Sequence, residues 1–426
     1  MSRFHRITLP VLALSTLCIA SANAVEPIVV DDSQLNPHST TIGGASVLPT
    51  TRTIPHWWGQ QLDTTNGVTY GFNMVGANPQ TCVGQECSVT IEVDITPVIV
   101  RVGGVTFSGE AVLQATLDSP QFALNDYGST PFATTAGFAR GPGGALSQED
   151  AGKSLQLQDA TMRAQFGLTG NSSYHLILHP NVKPTVTIDV PQNQGALLQS
   201  GRGVVFASID IGWWSSHIQN LLASADPTHL PIYLTNAVML YEGSDPTNCC
   251  VIGYHGTKAA GSGGGSTNSN GNAKVQTFAW ASWVPAGLYA RADGGRNWAL
   301  QDIHALSHEI AEWADDPFVN NYVQPWLTPT APQYGCTGIL ETGDPVVGIG
   351  FAMGTNTYQQ GPNPDGSQSA DGYYHPEDEA LLPWFLRVAP NAMSEPTQAP
   401  TANGGRYTLM GTLNPFAGFR APATGC

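Results

Sequence analysis

Apolar and polar positions alternate along SVTIEVDITPVIVRVGGVTFSG, residues 88 to 109, and most of the apolar ones are β-branched. A period of two sends successive side chains to opposite faces, as in half-buried strands. LQLQDATMRAQFGL (155–168) and VKPTVTIDVP (182–191) read as further strands. Residues 88–203 are therefore expected to form a β-rich, sandwich-like N-terminal domain. Residues 25–87, rich in Pro, Thr and Asn, read as an extended lead-in with little core of its own.

The pattern changes near Val204. VVFASIDIGWWSSHIQNLLASAD begins as a strand and then sets Trp214, Ile218 and Leu221 at helical spacing. LPIYLTNAVMLY, CVIGYHG and VQTFAWASWV predict three more strands. AAGSGGGSTNSNGNAK, between the last two, is a polar connector. No GK[ST] follows its glycines, so it is not read as a phosphate cradle. A helix is expected from about Ala299 to Ala314, stopped by Asp316-Pro317, and a short one within HPEDEALLPWFLR (375–387). The fold class is α+β, with residues 204–426 forming a domain of mixed sheet and one functional helix. No internal repeat is present.

Composition narrows the functional classes. MSRFHR, the apolar run ITLPVLALSTLCIA and the small residues SANA read as a secretory signal spanning residues 1–24. Its removal leaves 14 basic against 32 acidic side chains, a formal charge of −18. Such a chain repels nucleic acid phosphates and anionic lipid, so neither is an expected partner. No other stretch predicts a membrane span. The protein is expected to be secreted, extracellular or periplasmic.

Six cysteines remain in the mature chain: Cys82, Cys87, Cys249, Cys250, Cys336 and Cys426. An even count in an exported chain favours disulfides. Cys82 and Cys87 are close enough for a local staple. The adjacent Cys249 and Cys250 are expected to reach two distant partners, with Cys336 and Cys426 tying the end of the chain to the middle.

The chemistry concentrates in ALQDIHALSHEIAEWA (299–314). At about 100° per residue, Ile303, Leu306, Ile310 and Trp313 share one face of a helix. His304, His308 and Glu312 share another, with Glu309 at its edge. Two ligands at i and i+4 can grip one ion from a single helix. Of the two such pairs, His308/Glu312 is preferred over His304/His308, because Glu309 follows the first ligand. That register puts a carboxylate where HExxH enzymes keep the base that activates metal-bound water. His304 is a supplementary ligand or a partner behind the ligands. The rival is a solvated helix face, in which the like charges of Glu309 and Glu312 would be mildly unfavourable without a cation.

A third ligand must come from elsewhere in the chain. ILETGDP supplies Glu341, the first choice, and Asp344; His255 in GYHG follows, and His375 after it. The acidic stretch Asp365 to Asp378 lacks EF-hand spacing and reads as a solvated loop.

His308-Glu309-x-x-Glu312 resembles the HExxH helix of zincin metallopeptidases, and Glu341 is similar to the third ligand of their gluzincin branch. GYHG (253–256), FAWASW (278–283), SHEIAEWADDPFVNN (307–321) and LETGDP (340–345) together resemble the plant Exordium (phosphate-induced) secreted proteins and their bacterial secreted relatives, over roughly residues 200 to 390. Two departures stand out. Glu312 replaces the second histidine of peptidases, and Cys336 precedes the downstream carboxylates, where Exordium proteins have it after them.

The resemblance implies a zincin-like metal site. Exordium proteins are linked to extracellular growth signalling without an established catalytic role. The first functional expectation is a secreted zinc-dependent peptidase of extracellular peptides or proteins, with Glu309 as base. An anionic second ligand would make its bound water less acidic than in a His-rich site. The alternative is an inert extracellular protein whose zinc or calcium is structural. Such a protein would bind a protein partner or carbohydrate, and Trp57, Trp58, Trp213 and Trp214 would then be either sugar contacts or core.

Overall fold

The computed structural model describes residues 25–31, 35, 37–45, 47, 51–63, 66–79, 81, 87–126, 154–166, 174–259, 274–289, 300–329, 335–358, 371–387, 407–409 and 426. The signal segment and most of the glycine-rich connector (260–273) lie outside these residues.

The first strands are β1 (Ile28–Val29), β2 (His38–Ile42), β3 (His56–Asp63), β4 (Val68–Val75), β5 (Ser88–Val102) and β6 (Val105–Ser108), followed by helix α1 (Glu110–Leu117). The short β7 (Asn125–Asp126) and β8 (Ser154–Leu155) precede α2 (Leu157–Phe166). Then come β9 (His175–Val182), β10 (Val186–Asp189), β11 (Gly195–Gln199), β12 (Val205–Asp210) and α3 (Ile211–Leu221). The rest comprises β13 (Leu230–Asn236), β14 (Val238–Tyr241), β15 (Cys249–Ala259), β16 (Val275–Trp283), α4 (His304–Asp315), β17 (Tyr322–Leu327), β18 (Cys336–Ile339) and the one-turn α5 (Leu382–Phe385).

The architecture is α+β and strand-rich, as the alternation predicts. Twelve strands form one mixed sheet whose main path is β1-β11-β12-β14-β15-β16-β13-β5-β10, with β2, β6 and β9 branching from it. The sheet is continuous across the boundary expected at 203/204. β5, from the expected sandwich, pairs in parallel with β13, Val93 opposite Leu230. At 15 residues β5 is long enough to pair also with β9, β10 and β6. The lead-in also enters the fold: β2 pairs with β15, and the β3–β4 hairpin buries Trp57, Phe72 and Met74.

Two expectations change form. LQLQDATMRAQFGL was expected as a strand but folds mainly as α2, all ten residues of which are buried. Asp159 and Arg163, one turn apart, form a buried ion pair at 3.1 Å that only a helix brings together. HPEDEALLPWFLR is extended up to Ala380 and helical only over α5, where Pro383 sits in the first turn, the position proline tolerates.

The disulfides correct the expected pairing. Cys249 and Cys250 bond to each other, and Cys336 bonds to Cys426. Cys87 is disulfide-bonded, while Cys82 lies outside the described residues.

Alternation along β15 and β16 sorts the layers. Tyr254 pairs with Trp280, and Trp280 meets Trp214 of α3 edge-on at 5.8 Å, so α3 covers that face. Gly253, His255 and Thr257 point to the other face, where α4 lies. There Trp313 Nε1 donates to Thr277 Oγ1 at 2.9 Å. Among the four tryptophans singled out above, Trp57 and Trp214 are core, Trp213 is half-buried and Trp58 is exposed.

Gly256 has no room for a side chain: a Cβ there would stand 2.3 Å from the Ile42 carbonyl oxygen of β2. A backbone atom cannot swing aside, so Gly256→Ala must displace β2. The expected cost is about 1–3 kcal/mol, read as a lowered denaturant midpoint. An unchanged midpoint would show that β2 is not seated against β15.

Candidate metal centre

Helix α4 starts at His304, later than its spacing suggested, because Gln301 first bridges to Val284. It ends where Asp316-Pro317 predicted. The Asp316 carboxylate accepts from the backbone N–H groups of Asn320 and Asn321 at 2.9 and 3.1 Å, which turns the chain back. Asn321 then donates to the Asp315 and Asn73 carbonyls and fastens the β3–β4 hairpin to this turn.

The apolar face of α4 packs as expected, but its polar face does not meet solvent. All twelve residues are buried, among them His304, His308, Glu309 and Glu312. The loops at 341–347 and 374–380 cover that side. Gly343 sits so close that a Cβ would fall 2.3 Å from His308 Nδ1, and one on Gly253 of β15 would fall 2.5 Å from Glu309 Oε1. Both glycines permit the close approach that burial of these side chains requires.

Two three-residue groups have ligand atoms close enough to share an ion: His308, Glu312 and Asp344, and His255, Glu309 and Glu312. In the first, His308 Nε2 is 3.0 Å from Glu312 Oε1 and 3.7 Å from Asp344 Oδ1. In the second, His255 Nδ1 is 3.5 Å from Glu309 Oε2 and 3.6 Å from Glu312 Oε2. Glu341, the expected third ligand, falls in neither group, but it lines the same cleft as Glu312 and Asp344. Glu309 faces Gly253 and His255, in the seam between helix and sheet.

Sequence reading missed Glu377, 69 residues beyond His308. Its Oε2 accepts from His308 Nδ1 at 2.5 Å and lies 3.1 Å from His304 Nε2. Its other oxygen accepts from the Gly348 N–H at 3.0 Å, and its own N–H donates to Ser307 Oγ at 2.9 Å. A proton held at Nδ1 leaves the Nε2 lone pair of His308 directed at Glu312 and Asp344, the arrangement in which a carboxylate orients a metal-binding imidazole. His304 is thus a neighbour of Glu377, behind the ligands. The local signal was three acids in HPEDEA directly before an apolar run, which marks carboxylates entering a packed region. His375 belongs to a separate cluster, its Nε2 3.0 Å from Asp371. Residues 365–370 of the acidic stretch lie outside the described residues.

Electrostatics make this a costly place for carboxylates. Burial raises Glu309, and it raises Glu341 and Asp344 well above the usual range, with the charge of Glu312 adding to all three. Burial also opposes ionisation of Glu312, yet the imidazoles of His308 and His255 reverse the balance and hold its carboxyl low. His255 is pushed up to about 9: burial works against its charge, and the Glu309 and Glu312 carboxylates outweigh that. Among the described residues no lysine or arginine pairs with Glu312, Glu341 or Asp344.

The residues present fit a divalent cation. Both nitrogens of His255, both oxygens of Glu341 and Nε2 of His308 are buried without a hydrogen-bond partner, which native interiors avoid. Imidazole nitrogen and carboxylate oxygen are the donors such ions take. These buried groups could hold a metal ion. A cleft of about 400 Å³ reaches Glu312, Glu341 and Asp344 and is lined also by His38, Thr40 and Thr41 of β2, Thr337 and Ile339 of β18, and Glu242.

Compared with known proteins, the chain matches no family model, no curated protein and no solved structure.

Glu377→Gln is expected to weaken metal binding by about 10- to 100-fold, measured by competition with a chelating indicator. Unchanged affinity would mean that His308 does not bind through Nε2.

Proposed function

We propose that the protein is an exported, zinc-dependent hydrolase of extended peptide chains. One observation carries this reading: the cleft ends on Glu312, Glu341 and Asp344, and the side chain of Asp344 is 26% exposed. Catalytic zinc sites keep an open position, whereas structural ones are closed. The mixed imidazole and carboxylate set favours zinc over calcium, which takes oxygen ligands. When bound, such an ion polarises a carbonyl and acidifies water.

The chain's own residues divide the remaining work. His308, Glu312 and Asp344 hold the ion, and Glu377 fixes the imidazole. Glu341 accepts the proton, since its carboxylate lines the cleft beside Glu312 and Asp344. Helix register alone suggested Glu309 for this role, but Glu309 is enclosed against β15.

The cleft walls favour a peptide. Among the described residues β2 pairs only with β15, and β18 only with β17. Both strands line the cleft, and an extended chain can hydrogen-bond along such edges. The acidic lining favours basic side chains. A second reading, a structural metal clamp in a non-catalytic extracellular protein, draws support from the complete burial of His255, Glu309 and Glu312.

The zinc-loaded full mature chain, incubated with a library of extended peptides and followed by mass spectrometry, tests the choice. Cleavage is expected, with Glu341→Gln keeping bound zinc and losing about 10²- to 10⁴-fold in turnover. No cleavage by the wild type would leave the clamp. Loss of turnover at full metal content in Glu309→Gln, but not in Glu341→Gln, would return the proton-accepting role to Glu309.

A further inference from the structure

We propose that the two ligand groups are two ion positions filled together, bridged by the carboxylate of Glu312. This deepens the hydrolase reading and rests on its metal centre.

The separations point to an ion in the second group. Two atoms each about 2.1 Å from a tetrahedral zinc lie about 3.4 Å apart. His255 Nδ1 stands 3.5 Å from Glu309 Oε2 and 3.6 Å from Glu312 Oε2. Those distances are long for N–H···O bonds and close to the edge of a coordination tetrahedron. His255 is fully buried at the centre of β15, faces α4, and neither of its nitrogens makes a hydrogen bond. An imidazole so enclosed and unpartnered is placed as a ligand would be.

Glu312 supplies the bridge. Its Oε1 is directed at His308 and its Oε2 at His255, so one carboxylate serves two imidazoles on opposite sides. Paired catalytic ions sit about 3.5–4 Å apart, a span that one bridging carboxylate covers. The positions differ in access: the His308 position opens on the cleft, whereas the His255 position is closed between helix and sheet.

The test is metal stoichiometry on the full mature chain, loaded with Zn²⁺, exchanged into metal-free buffer and assayed by mass spectrometry. The wild type is expected to hold two zinc ions per chain, His255→Ala one and Glu312→Gln fewer than one. Loading with Co²⁺ is expected to give a spin-coupled pair in electron paramagnetic resonance, replaced by an isolated-ion signal in His255→Ala. One zinc per chain and an uncoupled cobalt signal in the wild type would overturn the pair and leave the one-ion hydrolase standing. No bound zinc would overturn both. Two ions retained by His255→Ala would also overturn the assignment. Should that variant fail to fold, the wild-type stoichiometry and cobalt signal decide alone.

Discussion

The structure depends on how several carboxylates are kept in a nearly dry seam with imidazoles, and no lysine or arginine among the described residues, to answer them. Glu309, Glu312 and Glu341 are buried between α4, the central strands of the sheet and two covering loops. The last turn of α4 adds Asp315, with Asp316 as its cap and no basic residue, so the helix dipole opposes these charges as well. Unpaired buried charge is too costly to persist. Local rules broken this consistently, with only imidazoles among the described residues to offset the carboxylates, mark a functional site. These buried groups could hold a divalent cation, which would offset the remaining charge.

The surrounding fold brings the groups together and holds them. β15 delivers His255 and Gly253 to the face where α4 lies, while Tyr254 between them packs into the opposite layer. Glycine at 253 and 343 lets the helix and the 341–347 loop close on Glu309 and His308. Glu377 ties a third segment to the same helix through His308 and Ser307. Three segments of the chain therefore converge on one helix, and a shift of any of them would alter the ligand geometry. The hairpin anchored at Asn321 and the contact of Gln165 with Asp315 at 2.6 Å brace the far end of α4.

The two carboxylate oxygens of Glu312 face different surroundings. The side of Glu312 facing His308 meets the cleft, and the side facing His255 is enclosed. The carboxylate after the first histidine, Glu309, is drawn to the enclosed side by the space Gly253 leaves. Glu341, from the loop, lines the open side in its place, and the proposed proton transfer is assigned to it for that reason. The replacement of the second helical histidine by glutamate fits this division, because a carboxylate has two oxygens to share and an imidazole nitrogen binds one ion.

Much of this was legible in the residues themselves. The strand-like runs announced β5, β10, β12, β15 and β16, the helical spacing announced α3 and α4, and Asp316-Pro317 marked where α4 stops, while LPIYLTNAVMLY, expected as one strand, divides into β13 and β14. His308 and Glu312 followed from their spacing on one helix, because local periodicity decides what shares a face. What it cannot carry is distance between segments. The joining of β5 to β13 in one sheet, the enclosure of the polar face of α4, and the arrival of His255 beside Glu312 and of Glu377 beside His308 all depend on packing between parts of the chain far apart in sequence. α2 was misread because LQLQ opens with a strand-like alternation, and its polar residues, buried in the fold, find partners such as the Asp159–Arg163 pair only once the helix has formed.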